Sequence, residues 1–401
     1  MDGTLADGVV RVGGDARQRF YDARGYGRPL DRNRIELAPV EAAHLLSRGD
    51  LDAVVDESAD ASGDDASGPD DASRSTASDG AADAPRLGFR EFLVKTGATL
   101  RFAVYKDLRD RGFYLSPARE DWPGVTDLAS GTGDAPSGAA GGSDAVPDAA
   151  SDAGIDFVVF PRGKGPWDDE VAYRIRVAGE RERIAASALG DLVLAIVDED
   201  GDLTYFETDG DPAIGDAGDG ETAGAAADLP TEVDADLLGD RVVCEETAET
   251  LYERQFYGQR LFGRNAESGP LQLSLVEGAY LAQRGVVDVA PDAVAALGRD
   301  VEGERFDRRL RTYAALRDRG VVPKSGFKFG SDFRIYEEFT DVDSLSHSTD
   351  LVRVAAPGHS FYPRDLSLDV RLAGGVRKRM VFALTAANGE IDWLSVARVT
   401  P

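Results

Sequence analysis

The segment Arg371–Ser395, RLAGGVRKRMVFALTAANGEIDWLS, has a partner earlier in the chain at Arg183–Glu207, RIAASALGDLVLAIVDEDGDLTYFE. Both open on small residues, pass into an apolar run, turn near a glycine and close on a second apolar run with an aromatic. Each reads as helix, strand, turn and strand. Four more pairs recur in the same order: FYDARGYGRPL (20–30) with LYERQFYGQRL (251–261), AAHLLSRGDLD (42–52) with GAYLAQRGVVD (278–288), LRDRG at 108–112 and again at 316–320, and IDFVVFP (155–161) with TDLVRVA (349–355). Matches in one order at both ends of a chain identify a tandem duplication. The expected fold is α/β, of the α+β kind: two copies of a two-part unit, each with a small N-terminal α/β subdomain and a C-terminal mixed-sheet subdomain.

Three stretches interrupt the first copy. Asp56 to about Pro85, Asp127–Asp152 and Thr208–Asp228 collapse to Asp, Ala, Ser and Gly. Such sequence cannot bury a core and is expected to be disordered. Long surface insertions cost little in loop closure, so they read as expanded loops rather than domain boundaries. The expected segments are 1–85 and 86–235 for the first copy and 236–310 and 311–401 for the second. GFREFLVKTGATLRFAVYKDLRDRGFYLSP (88–117) reads as one helix ending at Gly112, and EAAHLLSRGDLDAVV (41–55) as a helix and a turn.

Composition narrows the setting. Of 401 residues, 73 are acidic and 45 basic, a formal net charge of -28. Such a field repels nucleic acid at long range. It also fits a protein working in molar salt, where the Debye length falls to roughly 3 Å and self-repulsion is screened. Lysine is scarce: Lys95, Lys106, Lys164, Lys324, Lys328 and Lys378 are the six among those 45 basic residues. The single cysteine, Cys244, excludes an intrachain disulfide and a multi-cysteine zinc site. No apolar run approaches the ~20 residues of a membrane span, and the first residues do not resemble a signal peptide. A soluble, cytoplasmic protein is expected.

The second copy holds three residues suited to proton transfer and charge stabilisation: Tyr336 in GFKFGSDFRIY, His347 in the following SLSHSTD, and Lys378 between Arg377 and Arg379. Taken singly, each is as well explained as a packed aromatic, a capping histidine or a solvated charge. As a set, they give a histidine that titrates near neutrality, a phenol that can relay a proton and an ammonium that is a compact point charge. The set suits metal-free phosphodiester cleavage by a substrate's own 2′-hydroxyl, chemistry open only to RNA. Aligned through IDFVVFP and TDLVRVA, Ala153 faces His347 and Gly190 faces Lys378, and the first copy has no counterpart of GFKFGSDFRIY.

GFKFGSDFRIY, the histidine eleven residues after its tyrosine, and RLAGGVRKRMVFA together resemble the archaeal tRNA-intron (tRNA-splicing) endonuclease family, in its fused two-repeat form. The resemblance implies a nuclease-like C-terminal subdomain and excision of introns from precursor tRNA at bulge-helix-bulge motifs. It implies cleavage without metal or other cofactor, leaving 2′,3′-cyclic phosphate and 5′-hydroxyl ends. Tyr336 falls on the family's general base, His347 on its general acid and Lys378 on the group that stabilises the transition state. Arg371 and Arg398 fall on the arginines that clamp a bulged base. Asp168 and Asp169, in GKGPWDDEVAY opposite APGHSFYPRDL, resemble an acidic loop that docks one subunit onto another. The implied partners are precursor tRNA, with precursor rRNA as a further substrate, and a second copy of the chain in a homodimer. The acidic composition points to a halophile.

Two other readings stay open on sequence. One is a non-catalytic RNA-binding or assembly subunit of a splicing endonuclease complex. The other is a metal-dependent DNA nuclease, for which Asp365 and Asp369 are the nearest carboxylate pair.

Overall fold

The computed structural model describes residues 1–57, 84–119, 121–122, 154–168, 170–215, 229–245, 248–263, 265–337, 339, 341–342 and 345–401. Most of the three expected insertions, together with Ala153 and Asp169, lies outside the described residues. The third insertion begins later than expected, because Thr208 and Asp209 complete a strand and Ile214 is buried in a hydrophobic core. The chain divides into two compact units, one of residues 1–180, 192–205 and 400–401, the other of 181–191 and 206–399. Residues 181–191 and 206–235, placed by sequence with the first copy, group with the second unit.

The first unit opens with β1 (Asp2–Ala6), β2 (Val9–Val12), β3 (Arg28–Pro29), β4 (Ile35–Leu37), α1 (Pro39–Ser47), β5 (Ala53–Asp56) and β6 (Arg86–Leu87). These strands form one sheet in the order β3-β4-β2-β1-β5-β6, antiparallel except where β1 lies parallel to β5. The single helix expected over 88–112 is two, α2 (Phe89–Thr96) and α3 (Thr99–Asp110). Gly97 breaks them by taking a left-handed conformation, φ 64°, that glycine adopts without strain. Then follow β7 (Leu115–Pro117), β8 (Phe157–Val159) and β9 (Tyr173–Gly179), with β10 (Ile184–Ala185), β11 (Leu192–Val197) and β12 (Leu203–Asp209) after them; β10 and the end of β12 group with the second unit. Where a helix was expected at the start of Arg183–Glu207, the chain makes only β10 and one 3₁₀ turn, Ala186–Ala188. One such turn is too short to carry an amphipathic face.

The second unit repeats the plan with β13 (Ala235–Leu238), β14 (Arg241–Cys244), α4 (Glu249–Glu253), β15 (Gln259–Arg260), β16 (Leu271–Ser274), α5 (Leu275–Gln283), α6 (Pro291–Glu302) and α7 (Glu304–Asp318). Its small sheet runs β13-β14-β16-β15, and the parallel β1–β5 pairing shrinks to one bridge, Val233 to Val287. The rest is β17 (Val322–Ser325), β18 (Phe333–Tyr336), β19 (Asp350–Ala355), β20 (Ser360–Phe361), α8 (Pro363–Gly375), β21 (Arg379–Thr385) and β22 (Ile391–Val399). β18 is antiparallel to both β17 and β19, β19 and β21 are parallel, and β22 returns antiparallel to β21. In the first unit β7, β8, β9 and β11 pair with the same directions in the same order. The two-part α/β duplication is therefore what the structure shows.

The sheet register corrects one sequence pairing. Phe157 faces Ile175 as Phe333 faces Val352, and Leu115 faces Val159 as Pro323 faces Ile335. IDFVVFP thus corresponds to SDFRIYE, while TDLVRVA corresponds to AYRIRVA. The misplacement by one strand had a simple cause, since both strands are short, apolar and β-branched. An aspartate present in both copies settles the register. Asp156 accepts a hydrogen bond from Val177 N–H at 2.7 Å and pairs with Arg101, while Asp332 accepts from Val354 N–H at 2.9 Å and pairs with Arg309.

In each unit an arginine of the helix before the larger sheet, half-buried as Arg109 and buried as Arg317, joins the small subdomain. The Arg109 guanidinium carbon lies 3.9 Å from the Tyr26 ring centroid, and that of Arg317 lies 3.9 Å from Tyr257. Arg109 donates to the Arg24 carbonyl at 2.8 Å and Arg317 to the Gln255 carbonyl at 3.0 Å. Burying a guanidinium is tolerable here because aromatic faces and carbonyls replace water. Among the described residues, no helix is long and apolar enough to cross a membrane.

Candidate active site

Topology alone brings Tyr336, His347 and Lys378 to one end of one sheet. Tyr336 closes β18, and because β18 is antiparallel to β19, that end meets the entry to β19 just after His347. β21 runs parallel to β19, so its entry, just after Lys378, lies at the same end. The junction is stitched by backbone: Thr349 N–H donates to the Ile335 carbonyl at 2.9 Å, and Arg379 N–H donates to the Thr349 carbonyl at 3.2 Å.

The side chains differ in freedom. Tyr336 is 6% exposed, its ring edge-on to Phe256 at 5.7 Å, with Phe256 stacked on Phe339. Packing of this kind fixes the ring and hence the place of its hydroxyl. Lys378 is half-buried and its Nζ donates to the Ser348 carbonyl, the peptide next to His347. Burial pulls the Lys378 ammonium below its ordinary range, the nearby Arg334 charge pulls it further, and Asp350 pushes back. His347 is exposed. The other two histidines are built into packing: His44 shares a 2.8 Å hydrogen bond with the Tyr26 hydroxyl and is pushed down to about 4, chiefly by burial. His359 packs edge-on to Phe361 at 4.6 Å.

The corrected register gives each of the three its counterpart. Phe160 stands where Tyr336 stands, and its N–H donates to the Tyr114 carbonyl just as Tyr336 pairs with Val322. Ala172 N–H donates to the Val159 carbonyl as Thr349 N–H does to Ile335, which sets Glu170 against His347 and replaces the sequence pairing with Ala153. Val193 faces Ile175 as Val381 faces Val352, so Gly190 stands against Lys378, as read from sequence. The first copy thus keeps the strand pairing but has Phe160, Glu170 and Gly190 where the second has Tyr336, His347 and Lys378.

The remaining expected residues lie elsewhere. Arg371 sits on α8 and Arg398 on β22, both exposed and neither in an ion pair or hydrogen bond among the described residues. GKGPWDDEVAY does not stand opposite APGHSFYPRDL; it joins β8 to β9 and so corresponds to the connection that carries His347. Within it Asp168 accepts from Gly165 N–H at 2.7 Å, closing a tight turn that leaves Trp167 52% exposed. Asp369 is held by Arg353 at 2.8 Å. Among the described residues, no group of three or more His, Cys, Asp or Glu is placed to hold a metal ion.

Sequence reading missed two features. Lys324 on β17 forms a buried ion pair with Glu277 at 2.8 Å and also donates to the Phe256 and Gly258 carbonyls. Arg334, on β18 with Tyr336, lies in the segment that has no counterpart on sequence; the register sets DFRIY against DFVVF and puts Val158 at its place.

Residues 306–393 match the model of the tRNA intron endonuclease catalytic C-terminal domain, and 1–65 and 233–298 each match that of the N-terminal domain. The chain is 58% identical over 401 residues to a tRNA-splicing endonuclease of Haloferax volcanii, covering all of both chains. It is 50% identical to one of Natronomonas pharaonis, again over the whole of both. A tRNA-splicing endonuclease of Methanosarcina mazei is 31% identical over 97% of this chain and 96% of its own.

Proposed function

Because the chain belongs to the tRNA intron endonuclease family, we propose that it is the enzyme that excises introns from precursor tRNA at bulge-helix-bulge motifs, by metal-independent transesterification. The observation that carries this reading is the contrast between the two copies of the repeat: Tyr336, His347 and Lys378 share one sheet end, and Phe160, Glu170 and Gly190 replace them at the same register.

In this reaction the 2′-hydroxyl beside the cut attacks its own phosphorus. Tyr336, held by Phe256, takes that proton, and His347, exposed to reach the leaving 5′-oxygen, supplies one to it. Lys378 sets a point charge against the pentacoordinate phosphate, where stabilisation is strongest because charge develops there. The products are a 2′,3′-cyclic phosphate and a 5′-hydroxyl. Arg371 and Arg398 stack on a bulged base, so recognition is of shape and unpaired nucleotides more than of sequence. The acidic segment that carries Asp168 and Asp169 docks a second copy, giving a homodimer with two active units. Precursor rRNA bearing the same bulges is a further substrate. Replacing the 2′-hydroxyl at the cut site by hydrogen tests the step directly: the RNA is expected to bind and stay whole, and its cleavage would refute the mechanism.

A further inference from the structure

We propose that Arg334 is a fourth catalytic group of this site, a guanidinium that holds a non-bridging oxygen of the scissile phosphate beside Lys378. The inference rests on the function proposed above and adds a residue to it. Arg334 lies two residues before Tyr336 on β18, between the buried Phe333 and Ile335. Side chains two apart share a face of a strand, and the guanidinium carbon is 5.6 Å from the Tyr336 ring centroid.

Its lack of a partner is the telling feature. The Arg334 Nε is buried with no hydrogen-bond partner, and the side chain joins no ion pair among the described residues. In the same unit Arg305 and Arg309 meet Asp332, Arg353 meets Asp369, and Arg379 meets Asp350. With 73 acidic residues in the chain, an unpaired arginine is not for want of carboxylates. Nor do its neighbours neutralise it. Lys324, its cross-strand partner on β17, is committed to Glu277, and Asp350 to Arg379. The Arg334 charge is also felt at Lys378, where after burial it helps pull the ammonium below its ordinary range. Two cations kept together without a carboxylate between them favour an anion, and a planar fork suits two oxygens of one phosphate.

The duplication separates residues kept for the fold from residues kept for chemistry. Asp332, Arg309 and Arg317 recur as Asp156, Arg101 and Arg109, making the same contacts. Arg334 does not recur: Val158 takes its place, facing Arg174 as Arg334 faces Leu351. It disappears together with the tyrosine, the histidine and the lysine. Arg334 neither gives nor takes a proton in the step; it balances charge that grows on the phosphate.

The test is single-turnover cleavage of a bulge-helix-bulge RNA in molar potassium chloride, with Arg334→Val, Arg334→Lys and Tyr336→Phe beside the wild type. Binding of the same RNA with a 2′-deoxy cut site is measured in parallel. Arg334→Val is expected to cleave about 100-fold slower, the usual cost of losing one transition-state donor, with affinity for the deoxy RNA changed less than about threefold. Valine is tolerated at this register in the sister unit; should Arg334→Val nonetheless fail to fold, Arg334→Lys carries the test and is expected to be at least about tenfold slow, since an ammonium cannot form the fork. Arg334→Val at the wild-type rate, or a loss wholly in affinity, would overturn the proposal; so would Arg334→Lys at the wild-type rate. If Tyr336→Phe cleaves normally the site itself is misplaced, whereas an inactive Tyr336→Phe beside a fully active Arg334→Val defeats only the role given to Arg334.

Discussion

Tyr336 and Phe160 occupy the same position of their respective units and differ by one hydroxyl. Tyr336 pairs with Val322, and Phe160 N–H donates to the Tyr114 carbonyl. The duplication has therefore already performed a Tyr-to-Phe substitution in a backbone of this kind. Tyr336→Phe is expected to fold with an unchanged melting temperature and to bind precursor RNA as before. Its single-turnover cleavage is expected to fall by about 10²–10⁴, the range for removing a general acid or base. A rate within threefold of wild type would remove Tyr336 from the chemistry.

Lys378 has a second task, since its Nζ donates to the Ser348 carbonyl beside His347. Lys378→Met retains the stem and loses both the charge and this tether. Cleavage is expected to fall about 10²–10³-fold from lost charge stabilisation. The amide of Thr349, which shares a peptide with that carbonyl and donates to Ile335, is expected to exchange with deuterium faster than in wild type. Normal exchange with slow cleavage would confine Lys378 to charge alone.

The two buried glutamates of the small subdomains make opposite predictions. Glu277 accepts from Gly258 N–H and Ser274 N–H and is paired with Lys324. Glu41 accepts from Gly27 N–H and Ala38 N–H in the same way, but Ser116 stands where Lys324 would be. Removing one partner of a buried pair leaves an uncompensated charge, so Lys324→Met is expected to cost about 3–5 kcal/mol in urea unfolding of the second unit. A loss under about 1 kcal/mol would show that the pair adds little.

Glu41 instead gives a pH signature. Burial, only partly offset by its two N–H donors, lifts it to about 7 from an ordinary 4.5. The folded unit then holds a proton that the unfolded chain releases, so its stability falls as pH rises from about 4.5 towards 7 and stays lower above. Glu41→Gln removes that slope. Between pH 5 and pH 8 its melting temperature is expected to change less than that of wild type, and an identical decline in both would contradict the assignment.

The docking role proposed for Asp168 can be separated from its local one. Its carboxylate also closes the turn at Gly165. Asp168→Asn keeps an acceptor for that turn and removes the charge. Sedimentation in molar salt is expected to show weaker self-association with the fold unchanged; an unaltered association constant would place the docking contact elsewhere.

How much of this was legible in the sequence depended on the kind of signal. The duplication was, because Tyr26 and Tyr257, Arg109 and Arg317, and the LRDRG pair sit in amphipathic and capping contexts that mark their own register. The equivalence of Gly190 with Lys378 was legible for the same reason, through the long run that follows each. The strands before His347 were not. IDFVVFP, SDFRIYE and TDLVRVA are all short and apolar, and only the paired hydrogen bonds of Asp156 and Asp332 distinguish them. That slip hid Phe160, Glu170 and Val158, and with Val158 it hid Arg334. The helix expected before Gly190 failed because small residues permit a helix without supplying the apolar stripe that would dock one. Lys324 and Glu277 lie 47 positions apart, a separation at which only the fold makes them partners.

The most direct test of the account is cleavage of a bulge-helix-bulge RNA in molar potassium chloride with EDTA present, wild type beside His347→Ala, with the ends of the products identified. Wild type is expected to cut at both bulges, leaving 2′,3′-cyclic phosphate and 5′-hydroxyl ends, while His347→Ala binds the RNA and leaves it intact. Binding without cleavage by wild type, or activity that EDTA abolishes, would contradict it.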